Sequence, residues 1–295
     1  MNGPSPEPRR EEAEPMEGGG VGRDREARLA GGGSGEVLEV HVEVRRTARV
    51  ALLRGEELDG DGREGREQLW ICLHGYRQLA RRFLRPFRGH VPPGTLVVAP
   101  EGASRFYLEG SPGPYRGGDP VGASWMTRED RDREIEDYVA ALDTILLATL
   151  EGRVARGGMA GTGAAVAPAG GIGVLGFSQG VHTAARWLAG SRVLPELVAS
   201  GDGNPSVRVA MWGAALPRDL PGTGLAGLAG FASPVSPLAL VRGEADELRS
   251  LDAEAREEAV LQEAGIPFRI RTHRGGHRID GALASTLLSG SGEGN

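Results

Sequence analysis

The chain has 295 residues, 39% of them hydrophobic, and its 34 basic and 40 acidic side chains give a net charge of −6. That is enough apolar material for a sizeable core in one large or two ordinary domains, and the acidic balance gives no general pull toward nucleic acid or an anionic membrane surface. Every basic residue is Arg, which excludes a Lys Schiff base and a P-loop lysine.

Residues 1–35 are rich in Gly, Pro, Glu and Arg and carry too little apolar surface to offset the entropy of ordering them, so they read as a disordered tail. They contain no apolar run of signal-peptide length, which makes the cytoplasm the default compartment. From residue 36 to 290 the pattern is that of one domain. "VLEVHVEV" from Val37 alternates with period 2 and "ARVALL" follows it, as in two antiparallel strands. After the loop "DGDGREGRE" come "LWICL" (69–73) and "TLVVAP" (95–100), continuous apolar runs suited to strands buried on both faces of a parallel sheet. Cys72, the single cysteine, lies in the first of these and reads as a buried structural thiol that can form no internal disulfide.

Between those strands Leu79, Phe83 and Phe87 recur four apart on one helical face limited by Pro86, while Arg77, Arg81 and Arg85 form an opposite, solvated face. A long helix is predicted from Thr127 to about Leu150, with Thr127 and Asp130 spaced as a capping box and Ile135, Val139, Leu142, Ile145 and Leu146 in helical period. Residues 152–171 form a Gly/Ala-rich flexible connection. Then follow the strand "IGVLGF", a helix after Ser178, the strand "VRVAMW", a Gly/Pro-rich span to Pro237 with a minor helix, the strand "LALVRG", a helix from about Asp252 to Ala264, the strand "PFRIRT" and a helix from about Asp280. This alternation predicts a mainly parallel central sheet with helices on both faces and antiparallel strands at the N-terminal edge.

In such sheets ligands bind beyond the carboxyl ends of the strands. There "GFSQG" sets Ser178 between a strand and a helix, with Gly176 and Gly180 allowing close approach. With 48 glycines in the chain, chance G-x-S-x-G matches arise easily, so the surroundings must decide. A serine nucleophile needs an imidazole base and a carboxylate to orient it. Asp246 follows "PLALV" in "RGEADEL", with Glu244 and Glu247 as rival acids. His277 follows "FRIRT" in "THRGGHRID". His273 lies four residues before His277, but the intervening Gly275-Gly276 argues against a metal-binding helix, and no metal is expected. His182 precedes every candidate acid and reads as a packing residue. For the oxyanion, the backbone N–H of Gln179 supplies one donor and that of Tyr76, in "LHGYRQ", the second, with His74 orienting the loop.

"LHGYRQ", "GASWMTREDR", "GFSQG", "WGAALPRDL", "RGEADEL" and "RGGH" occur in the order seen in the phospholipase/carboxylesterase family of α/β hydrolases, which includes acyl-protein thioesterases, and the chain resembles that family from about Val37 to Leu288. The resemblance implies an α/β-hydrolase fold, a triad of Ser178, Asp246 and His277, oxyanion donors at Tyr76 and Gln179, and cofactor-free hydrolysis of esters or thioesters. Arg77 stands where many relatives have Gly, and the 152–171 stretch is longer than usual. No insertion is long enough for a large cap domain, so an open groove is expected, lined by Tyr76, Trp125, Met126 and Leu216 and suited to small or medium acyl groups. The expected partner is a small acyl ester or thioester, with no nucleic acid and no stable membrane insertion. A non-enzymatic binding protein on the same fold, an acyltransferase and a lipase are the alternatives.

Overall fold

The computed structural model describes residues 37–55, 68–108, 117–154, 168, 170–199, 207–220 and 224–290. The tail 1–35 and most of the 152–171 connection lie outside them. The chain divides into two units, Met1–Arg46 and Thr47–Asn295, so the domain start expected at residue 36 falls within the first. In that first unit, residues 37–46 are described and form neither helix nor strand, and Val37, Leu38, Val40, Val42 and Val44 are exposed. The strand expected at 37–44 is therefore absent. Alternation states which side chains share a face but not whether a ladder partner exists.

In the second unit seven strands form one sheet. They are β1 (Val50–Arg54), β2 (Gln68–Leu73), β3 (Thr95–Pro100), β6 (Ile172–Phe177), β7 (Val207–Trp212), β8 (Leu238–Gly243) and β9 (Phe268–His273), in the order β1-β3-β2-β6-β7-β8-β9. All neighbours pair parallel except β1, which runs antiparallel to β3 with Val50 opposite Pro100. A separate antiparallel pair, β4 (Ser104–Tyr107) and β5 (Val121–Ser124), was not foreseen in the sequence.

The parallel strands are buried on both faces. Along β2, Leu69, Ile71 and Leu73 face one core, shared with α2 (Arg131–Leu150), α3 (Gln179–Gly190) and α6 (Leu251–Glu263). Trp70 and Cys72 face the other core, with α1 (Ala80–Phe83) and α7 (Gly281–Ser289). Two shorter helices, α4 (Leu194–Ala199) and α5 (Leu225–Ala229), complete the set among the described residues. Burial pushes the Cys72 thiol far above its usual range and keeps it an unreactive packing group. On β6, a Cβ at Gly173 would fall 2.1 Å from the Trp70 ring, so a large indole on one strand requires a glycine on the next.

Two helices differ from expectation. Pro86 ends α1 early, and Arg85–Phe87 continues as a single 3-10 turn that still buries Phe83 and Phe87 while Arg77, Arg81 and Arg85 stay exposed. The capping box at Thr127 and Asp130 does not form. Asp130 takes a left-handed φ of 49° without a side-chain cap, and α2 begins at Arg131. Thr127 instead binds Glu134, whose carboxylate accepts from the Thr127 backbone N–H at 2.6 Å.

Candidate active site

Ser178 sits between β6 and α3 with φ 55° and ψ −120°, a conformation disfavoured for a residue with a Cβ. Two features hold it there. Its N–H donates to Trp212 O at 2.8 Å, and the flanking glycines let strand and helix touch. A Cβ at Gly176 would lie 2.4 Å from Gly180 O, and one at Gly180 would lie 2.1 Å from Leu73 O, both rigid backbone atoms. Gly180→Ala should therefore destabilise the fold by about 1–3 kcal/mol. A melting temperature lowered by several degrees is the expected result.

His277, in the loop after β9, reaches Ser178. Its Nδ1 lies 2.8 Å from Asp246 Oδ2 and its Nε2 lies 2.9 Å from Ser178 Oγ. A carboxylate only accepts, so Nδ1 carries the proton and Nε2 is free to accept from the serine hydroxyl. Asp246 follows β8, is buried, and its Oδ1 accepts from Leu248 N–H at 2.9 Å. Glu244 and Glu247, the rival acids, are exposed. The β8 and β9 loops meet through Ala245 N–H, which donates to Gly275 O, and Gly243 is required because a Cβ there would lie 2.6 Å from that oxygen. His273 takes no part in this chain, since its Nδ1 accepts from Gly275 N–H. His182 bonds Ala215 O at 3.2 Å.

A Cβ at Gly75 would lie 3.1 Å from the Ser178 Cβ, so the loop after β2 abuts Ser178. His74 is fully buried there. Its Nε2 accepts from Gly102 N–H at 3.0 Å, which leaves the proton on Nδ1 to donate to Gly75 O at 2.8 Å. Gly75 O and Tyr76 N–H belong to one peptide, so His74 fixes the plane of the Tyr76 donor. Among the described residues, neither Tyr76 N–H nor Gln179 N–H donates to a protein acceptor. Arg77 has φ 68°, the left-handed conformation that Gly adopts freely. The Gln179 side chain, a link sequence reasoning missed, accepts from Trp125 N–H at 3.2 Å and donates to Met126 O at 3.0 Å.

Desolvation by burial lowers the His74 pKa, and His182 and His273 are lowered by the same dominant cause. As pH falls below the ordinary histidine value of about 6.5, the unfolded chain takes up protons before the folded one, so the stability present above that value is lost on acidification. Melting temperatures should fall between about pH 7.5 and 5.5, and His74→Asn should flatten that slope.

The expected groove residues divide. Leu216 lines a cavity of about 330 Å³ that also opens onto Ser178 and His277. Trp125 does not line it: the residue is 4% exposed, packs on His74, and its indole N–H donates to His74 O at 2.9 Å. It belongs to the core beside the loop after β2 and does not form the groove wall expected of it. Met126, half-buried against the same core, does not line the cavity, and its sulfur accepts from Arg186. The Tyr76 ring is exposed and stacks on Phe106 of β4. The same cavity is also lined by Arg242, Arg249, Glu254 and Glu257, which were unforeseen in the sequence.

No family model and no curated protein sequence matches the chain. Solved structures do. Acyl-protein thioesterase 2 of Zea mays is 18% identical with a TM-score of 0.52, covering 84% of this chain and 99% of its own. YahD, solved with malic acid, is 11% identical with a TM-score of 0.50, covering 83% and 99%. Among the described residues no helix is long and apolar enough to cross a membrane. The parallel sheet, the strained serine between β6 and α3, and these likenesses together identify the chain as a protein of the α/β-hydrolase fold.

Proposed function

We propose that the protein is a serine hydrolase of the phospholipase/carboxylesterase type, cleaving carboxylic esters or thioesters of small to medium acyl groups through an acyl-enzyme. Ser178 Oγ attacks the acyl carbonyl while His277 Nε2 takes its proton, and Asp246 holds the imidazole tautomer and stabilises the imidazolium. The tetrahedral oxyanion forms against the N–H groups of Tyr76 and Gln179. His277 then returns the proton to the leaving alcohol or thiol, and water, deprotonated by the same imidazole, releases the acid and restores Ser178.

The observation that carries this reading is the continuous chain from Ser178 Oγ through His277 to Asp246, at 2.9 and 2.8 Å. The oriented Tyr76 peptide and the likeness to an acyl-protein thioesterase support it. Turnover of p-nitrophenyl acetate and butyrate and of the matching acyl thioesters tests it, with hydrolysis of at least one class expected. Binding of these esters without any hydrolysis would favour a binding protein on the same fold.

A further inference from the structure

The cavity beside Ser178 and His277 has two kinds of wall. One is apolar, formed by Ala214, Ala215, Leu216 and Leu248, and the other is charged, formed by Arg242, Arg249, Glu254 and Glu257. Arg249 grips Glu254 through Nε and Nη2 at 2.8 and 2.7 Å and reaches Gly243 O through Nη1 at 3.3 Å. Arg242 reaches Glu258 at 2.6 Å and Glu257 at 3.3 Å, with Glu254 at 3.5 Å. A guanidinium offers five N–H donors, so the three bonds of Arg249 leave two available among the described residues.

A charged floor restricts what can lie on it. A plain alkyl terminus would strip water from ion-paired groups and give no hydrogen bond in return. A carboxylate would gain little, since the two lining guanidiniums, Arg242 and Arg249, are already paired with Glu254, Glu257 and, outside the lining, Glu258. A neutral oxygen acceptor can take the spare Arg donors without adding charge. We infer that the cavity selects a substrate arm with a short apolar stem and a neutral oxygen-bearing end, such as a hydroxyl, over a plain alkyl chain or a carboxylate. This rests on Ser178 being the nucleophile. The arm can belong to the acyl group or to the leaving alcohol, and matched substrates separate the two.

The test compares kcat/KM in two series. One uses p-nitrophenyl esters of hexanoate, 6-hydroxyhexanoate, adipate and dodecanoate. The other uses acetate esters of hexanol, hexane-1,6-diol, 6-hydroxyhexanoate and dodecanol. In one series the hydroxyl arm should exceed the alkyl and carboxylate arms by about tenfold or more, the size of a hydrogen bond to a charged group. Arg249→Met should bring that ratio to within about twofold. Should that variant not fold, the wild-type ratios alone decide. Equal six-carbon arms in both series, or a dodecyl arm turned over fastest, would overturn the inference. If Ser178 still reacts with a fluorophosphonate under those outcomes, the nucleophile reading survives and only the specificity fails.

Discussion

Ser178→Ala is expected to cut kcat/KM by about 10³-fold or more on any ester the parent hydrolyses, with a melting temperature within a few degrees of the parent. Among the described residues the serine hydroxyl bonds only His277, and the elbow is held by backbone contacts that alanine keeps, the N–H to Trp212 O and the close approach of Gly176 and Gly180. His277→Ala should produce a comparable loss, because among the described residues Nε2 is the group that Oγ bonds. The double variant should be little worse than either single one, since residues acting as one unit are not additive. Near-normal turnover by Ser178→Ala would show that the reaction runs elsewhere.

Asp246→Asn should lower kcat by about 10³- to 10⁴-fold, with a smaller effect on KM. Asn can keep the bond from Leu248 N–H through its carbonyl oxygen, and its amide then turns two N–H groups toward His277 Nδ1. That geometry favours the imidazole tautomer with its proton on Nε2, which cannot accept from the serine. Glu244→Gln should stay within about twofold, because that side chain is exposed. The reverse pattern, a mild Asp246→Asn and a severe Glu244→Gln, would transfer the orienting role to Glu244.

The strands were the most legible part of the sequence. "TLVVAP", "IGVLGF", "VRVAMW" and "LALVRG" coincide with β3, β6, β7 and β8, because strands buried on both faces need continuous apolar runs. The β4–β5 pair escaped notice because Ser104–Tyr107 alternates half-buried and exposed residues, and residues 108–120 separate it from its partner. "VLEVHVEV" gave a clearer strand signal than β4 yet forms no ladder, since its pattern holds no information about a partner.

At the site, the order of Ser178, Asp246 and His277 was readable because each closes or follows a strand. Trp125 was not, because an indole packs equally well against core or substrate, and only its bond to His74 O distinguishes the two. The charged floor left a fainter signal: Glu254, Glu257 and Glu258 are three and four apart on α6, on the side that meets Arg242 at the end of β8. Placing Glu254 and Glu257 in a cavity shared with Ser178 required the β8–α6 connection to be known in space.

The most direct measurement of the central claim is covalent labelling of the intact chain by a fluorophosphonate, followed by mass spectrometry of the labelled peptide. One adduct on Ser178 is expected, lost in Ser178→Ala and strongly slowed in His277→Ala, because the imidazole that activates the serine for acyl transfer also activates it toward phosphorus. A folded chain that takes no label, or takes it equally with and without Ser178, would contradict the claim that Ser178 is an activated nucleophile.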